Sequence, residues 1–174
     1  MGKFLLSLGF VAFGGVTLAD YKVGDQVQPF VLLDQNGKEV TIAKNKDEMW
    51  TVLYFYPKAD TPGCTKQACA FRDAIKVIEK EKAYVYGVST NSVEDLKKFE
   101  NKYKLNFRLL SDRKGLISKK FGAKYPVLNV SRRYTFILDE NLKVRSIDKD
   151  VDPVMDAQNV AKNLKILKNV STNK

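Results

Sequence analysis

Histidine is absent from the 174 residues. Its absence excludes Ser-His-Asp and Cys-His activation of a nucleophile and removes the commonest metal ligand. Any activated nucleophile must therefore be activated by something else. Cysteine is scarce as well, with only Cys64 and Cys69, and two cysteines without histidine cannot build a Cys/His zinc site within one chain. Thiol chemistry or a disulfide is what remains. No basic run is interleaved with aromatics as single-strand nucleic-acid binders require, so the net charge of +10 reads as scattered, solvated lysine, and nucleic acid is not an expected partner. Internal repeats and low-complexity linkers are also missing.

What is present fits one domain: 44% of the residues are apolar, enough to bury a core. Lys3 precedes an apolar segment, Phe4 to Val16, and Thr17-Leu18-Ala19 places small residues where signal peptidases read. The segment is too short and glycine-rich for the roughly 20 apolar residues of a membrane span. Residues 1–19 are expected to be a signal peptide cleaved before Asp20, sending the protein to an oxidising compartment such as a bacterial periplasm without stable membrane insertion. The alternative is an uncleaved N-terminal anchor. The domain then spans residues 20–168, with a polar tail at 169–174.

Phe30 to Leu33 and the stretch through Val40 form a hairpin turning on Asn36-Gly37. Trp50 to Tyr56, a β-branched and aromatic run ended by Pro57, is a buried central strand. From Cys64 the period changes: Cys64, Ala68, Phe71, Ile75 and Ile78 line one helical face. Tyr84 to Ser89 is a strand, and Ser92-Val93-Glu94-Asp95 resembles a capping box opening a helix with Leu96, Phe99 and Tyr103 inward. Phe107 to Leu110 is a strand and Gly115 to Phe121 a short helix. Tyr134 to Leu138 pairs with Val144 to Ile147, and a last helix starts near Asp152-Pro153 and carries Val160, Leu164 and Leu167. The alternation argues for a three-layer α/β sandwich, a central mixed sheet flanked by helices, with an N-terminal β-hairpin.

The chemistry concentrates between Pro57 and Cys69, which read P-K-A-D-T-P-G-C-T-K-Q-A-C. A thiol in the first turn of a helix faces unpaired backbone N–H groups and the positive end of the helix dipole, which favour its thiolate. Thr61 offers a hydroxyl to the sulfur or to an oxygen bound near it, and Pro57 and Pro62 stiffen the loop.

Pro57-x-x-x-Thr61-Pro62-Gly63-Cys64-Thr65-x-x-x-Cys69 resembles the active-site signature of peroxiredoxins. With Phe55-Tyr56-Pro57-Lys58, Phe71-Arg72-Asp73, Gly87-Val88-Ser89, Leu110-Ser111-Asp112 and Arg133 to Asp139, it is similar to the Q-type, bacterioferritin-comigratory subfamily. The resemblance implies a thioredoxin-like fold and a thiol-dependent peroxidase with no cofactor and no metal. Cys64 would be the peroxidatic nucleophile and Cys69 the resolving cysteine, forming an intramolecular disulfide. Thr61 and Arg133 would assist, with Pro57, Gly63 and Gln67 in support. Strand alternation lets only one of Arg132 and Arg133 point inward, and the sequence leaves that choice open. The implied partners are hydrogen peroxide, organic hydroperoxides and a thioredoxin-like reductant, and a monomer is expected. Ala123 to Ser131 lacks the glycine-containing stretch of the family, which bears on substrate access. Two other classes stand beside this one: a thiol-disulfide oxidoreductase, for which C-x-x-C is expected, and a basic binding protein, supported by charge alone.

The cysteine spacing has a consequence independent of family. In an intact helix residues i and i+5 lie about 8 to 9 Å apart at Cα, whereas a disulfide needs less than about 7 Å. If both cysteines lie on one helix, disulfide formation requires its first turns to open. Amide hydrogen exchange should therefore be faster over residues 62–72 in oxidised than in reduced protein, and equal protection in the two forms would contradict this.

Overall fold

The computed structural model describes residues 20–44 and 47–172. The expected signal segment, residues 1–19, lies outside the described residues. Strand β3 (Trp50–Phe55) runs through the middle, with all its residues buried. Its side chains alternate between two cores as the period of two dictates: Val52 and Tyr54, with Tyr56 just beyond, face one, and Leu53 and Phe55 face the other.

Around β3 the chain builds one seven-stranded sheet of order β2-β1-β5-β4-β3-β6-β7, from β1 (Phe30–Asp34), β2 (Glu39–Ile42), β4 (Ala83–Ser89), β5 (Arg108–Ser111), β6 (Tyr134–Leu138) and β7 (Val144–Asp148). β3, β4 and β5 are parallel neighbours, and every other pairing is antiparallel. The two parallel pairings need crossovers, supplied by α1 (Pro62–Lys80) and α2 (Val93–Tyr103). The hairpin turns at Gly37, whose φ of 73° suits glycine, while the Asp34 carboxylate accepts the Asn36 and Lys38 amides. It is not a separate appendage, because β1 pairs with β5 and extends the same sheet.

Helices α1, α2 and α4 (Asp156–Thr172) share one core through Phe71, Ile75, Ile78, Leu96, Phe99, Val160 and Leu164. On the other face α3 (Leu116–Lys120) brings Ile117 down beside Phe121, Phe136 and Phe55. The result is the expected mixed sheet between helical layers. Two details differ from the sequence reading. α4 starts at Asp156 and not at Asp152-Pro153, because the Asp152 carboxylate accepts the Val154 and Met155 amides and closes a local turn instead. α4 also runs on to Thr172, into the expected tail. Among the described residues no helix is long and apolar enough to cross a membrane.

The helix bearing both cysteines rests on Tyr54, whose ring stacks on Phe71 at 4.6 Å between centroids. Tyr54 has room because its partner across the parallel pairing is Gly87, where a Cβ would fall 2.6 Å from the tyrosine Cζ and hydroxyl. Gly87→Ala should accordingly destabilise the protein by about 1–3 kcal/mol through overpacking. An unchanged denaturant midpoint would show that the ring has space to move.

Candidate active site

The chain leaves β3 at Tyr56 and crosses to α1 through a loop, residues 57–61, that is held from outside. The Ala59 amide donates to Asn91 Oδ1 at 2.9 Å. Asp60 sits at φ 60°, a left-handed conformation that aspartate tolerates better than most residues, and its carboxylate accepts from Lys102 Nζ at 2.8 Å and from the Tyr103 hydroxyl at 2.6 Å. Those bonds hold the Asp60 carboxyl below its usual range. Thr61 is extended and caps α1 from its backbone, its carbonyl accepting the Thr65 amide at 2.8 Å, and Pro62 opens the helix where a missing N–H does no harm.

Cys64 follows in the first turn, 1% exposed, in a turn without acidic side chains. Cys69 lies on the same intact helix, half-buried, and both cysteines are free thiols. Arg133 crosses from the start of β6 and contacts two side chains of α1. Its Nη2 donates to Cys64 Sγ at 3.5 Å and its Nη1 to Gln67 Oε1 at 2.6 Å. The backbone of α1 leaves space for this approach at Gly63, where a Cβ would stand 3.2 Å from Nη2. Arg132 points elsewhere, donating from Nη1 to the Tyr134 hydroxyl at 3.2 Å and stacking over Tyr125, so strand alternation resolves in favour of Arg133.

The structure therefore brings together Cys64, Gly63, Gln67 and Arg133, with Thr61 and Pro57 on the loop beside them. Thr61 departs from expectation: its hydroxyl proton goes to the Lys58 carbonyl at 2.9 Å and not to the sulfur, because the loop turns that carbonyl back toward it. Sequence reasoning missed Asp156 and Thr135. Gln67 Nε2 donates to Asp156 Oδ2 at 2.6 Å, and the Thr135 hydroxyl donates to the same oxygen at 2.8 Å. Asp156 lies 89 positions from Gln67, and nothing local distinguishes it from an ordinary acidic residue in the first turn of a helix. Burial pushes its carboxyl up to about 6, against the pull of the Gln67 and Thr135 hydrogen bonds and of Arg133.

A parallel β3-α1-β4 unit with a buried thiol at the helix start, extended by antiparallel β6 and β7, is the thioredoxin-like fold of peroxiredoxins. The chain belongs to the AhpC/TSA family, whose model matches residues 23–147. It is similar to peroxiredoxin Q, chloroplastic, of Sedum lineare, at 44% identity over 68% of this chain and 63% of that one, and to its Triticum aestivum counterpart, at 37% over 90% and 71%. Among solved structures it resembles peroxidoxin BcpB from Mycobacterium tuberculosis, with a TM-score of 0.78, 34% identity, and coverage of 83% of this chain and 97% of that one. A PrxQ cysteine-to-serine mutant from Xylella fastidiosa superposes with the same TM-score at 26% identity, covering 85% and 98%. The chain spans about three fifths of the length of the first curated relatives it matches.

These relatives overturn the expected export to a bacterial periplasm. The plant proteins are named as chloroplastic, which is a plastid location. A short apolar leader with one basic residue does not by itself specify a bacterial export route.

The buried Asp156 carboxyl yields a stability test. Its folded-state value is raised, so its contribution is fully present below the unfolded value near 4 and is lost as pH rises through about 6. Asn at this position does not titrate. The stability of Asp156→Asn relative to wild type should therefore improve by about 2–3 kcal/mol between pH 4 and pH 7. Parallel pH–stability curves for the two proteins would refute the assignment.

Proposed function

We propose that the protein is a thiol peroxidase acting on hydrogen peroxide and organic hydroperoxides, with Cys64 as the nucleophile. The observation that carries this reading is the Arg133 guanidinium donating to a buried sulfur in the first turn of α1. The guanidinium stands where it meets negative charge developing in the reaction, and the second requirement, stabilisation of a departing oxygen, falls to the same donors. The Cys64 thiolate attacks one peroxide oxygen, the S–O bond forms as the O–O bond breaks, and the leaving hydroxide or alkoxide takes a proton to depart as water or alcohol. Cys64 is left as a sulfenic acid. The Thr61 hydroxyl, with its proton committed to Lys58, retains lone pairs that accept a hydrogen bond from the incoming hydroperoxide. Pro57 and Gly63 support this geometry, the first by ending β3 at the loop and the second by admitting Arg133.

Cys69 resolves the sulfenic acid: its sulfur attacks Cys64 Sγ, the S–S bond forms, and the sulfenic oxygen leaves as water after taking a proton. The intact α1 keeps the two residues on one helix, so this step follows local opening of the first turns. A dithiol donor of the thioredoxin class then returns both thiols by exchange through a mixed disulfide. The unit that performs the cycle is a monomer of residues 20–168.

Intact mass after one equivalent of hydrogen peroxide tests the assignment. Wild type should lose two hydrogen atoms, Cys69→Ser should gain one oxygen, and Cys64→Ser should show no fast reaction. A fast oxygen adduct on Cys64→Ser would remove Cys64 as the nucleophile. Arg133→Gln should slow the first step by about 10²–10³-fold, the usual loss when one charge-stabilising donor is removed, as read by rapid-quench mass analysis.

A further inference from the structure

We infer that Asp156 is a positioning residue for the reaction proposed above, fixing the amide of Gln67 so that Gln67 in turn holds Arg133 against the Cys64 sulfur. The argument starts from hydrogen-bonding capacity. A guanidinium only donates, a carboxylate only accepts, and a primary amide does one at each end. Gln67 stands between Arg133 and Asp156, with Oε1 toward Nη1 at 2.6 Å and Nε2 toward Oδ2 at 2.6 Å. Only this orientation satisfies both neighbours. Replacing the carboxylate with a donor would favour turning the amide over, setting its NH₂ against the guanidinium and breaking the link to Arg133.

Burial makes the arrangement rigid. Gln67 is 0% exposed, Asp156 1% and Thr135 3%, so none can exchange a lost partner for water. Thr135 donates to the same Asp156 oxygen from β6, two residues after Arg133, so the carboxylate ties α1, α4 and the arginine's own strand together. Stability alone does not account for a carboxylate in this core, since burial opposes its charge. The charged and titratable groups acting on it are Arg133 from just before β6, which favours its ionised form, Asp148 from β7, which opposes it, and the buried Tyr54 hydroxyl from β3. From α1 the Gln67 amide donates to it. Because burial dominates, the carboxyl takes up a proton in mildly acidic solution: it then loses the charge that attracts the Gln67 and Thr135 donors, and one of its two oxygens becomes a donor that competes with them.

This inference rests on the peroxidase reading, and its test separates the two. Second-order rates of Cys64 oxidation by hydrogen peroxide are measured from pH 5 to 8 on the full chain, for wild type, Asp156→Ala and Asp156→Asn. Asn retains an oxygen able to accept from both Gln67 and Thr135 but cannot titrate. At pH 7.5 the Ala variant should react about 10-fold more slowly, as expected when a donor is mispositioned, and Asn should restore the rate to within about 3-fold. Wild type should lose rate through a step near pH 6 that Asn does not show. A purely structural role would shift unfolding midpoints while leaving folded-state rates and pH profiles superimposable, and that result would overturn the inference. If Asp156→Ala does not fold, the presence or absence of the pH step in wild type against Asn decides. If wild type itself does not react with peroxide, the peroxidase reading fails. The rate of Cys64 alkylation by iodoacetamide then decides the positioning role, a change in Ala with rescue in Asn supporting it and equal rates refuting it.

Discussion

The contact on which the site depends is the one between the Arg133 guanidinium and the Cys64 sulfur. A fork of donors must reach a thiol that is otherwise sealed from water, and several unrelated features serve that approach. The extended backbone entering β6 turns Arg133 inward and Arg132 out toward Tyr125 and Tyr134. The missing side chain at Gly63 leaves the space that Nη2 fills. The loop before α1 is fixed by Asn91, Lys102 and Tyr103, so the sulfur waits at a defined place. Because each of these comes from a different element, the site exists only once the sheet and α2 are assembled.

The absence of histidine gives this arrangement its character. Arginine stays charged across the physiological range, and threonine, glutamine and backbone amides do not titrate there. Such donors make a site whose electrostatics vary little with pH. Asp156 is the exception, a carboxyl raised to about 6 and joined to the sulfur by two intervening side chains. Its burial works against stability at neutral pH. Local violations of the rules for a stable core recur where function demands them, and this one is joined through the Gln67 side chain to the Arg133–Cys64 contact.

Much of this was legible in the sequence. The apolar run at β3, the Cys64-Ala68-Phe71-Ile75-Ile78 stripe and the Asn-Gly turn each express a local rule, and the structure follows all three. The family signature pointed to Cys64, Cys69 and Arg133, and the structure puts both cysteines on α1 and Arg133 against the first of them. What escaped was set by partners distant in the chain or by competing local bonds. Asp156 and Gln67 meet only after the whole sheet intervenes, Asp152 diverts the start of α4 by binding its own backbone, and Lys58 captures the Thr61 hydroxyl. No periodicity records such contacts. The expected bacterial export was overturned by the chloroplastic names of the relatives, which a short apolar leader alone does not reveal.

The side chains along α1 also indicate where opening would stop. Between Pro62 and Ala70 the buried positions are Cys64, Gln67 and Ala68, two small side chains and one amide. Releasing them exposes little apolar surface and gives up the hydrogen bonds of Gln67. From Phe71 onward the inward residues are Phe71, Ile75 and Ile78, each contributing about 1.5–3 kcal/mol by burial, and Phe71 is stacked on Tyr54. The helix is therefore weakly held up to Cys69 and firmly held immediately after it. The first turn is weak in itself, since Pro62 and Gly63 add little helical propensity and Thr61 makes no side-chain cap. Opening also draws Gln67 away from Asp156 and Arg133, so in the proposed cycle the step that brings Cys69 to the sulfur dismantles the Arg133 contact with Cys64. In that cycle an oxidised sulfur would no longer need that contact, and a reduced one would regain it as α1 closes.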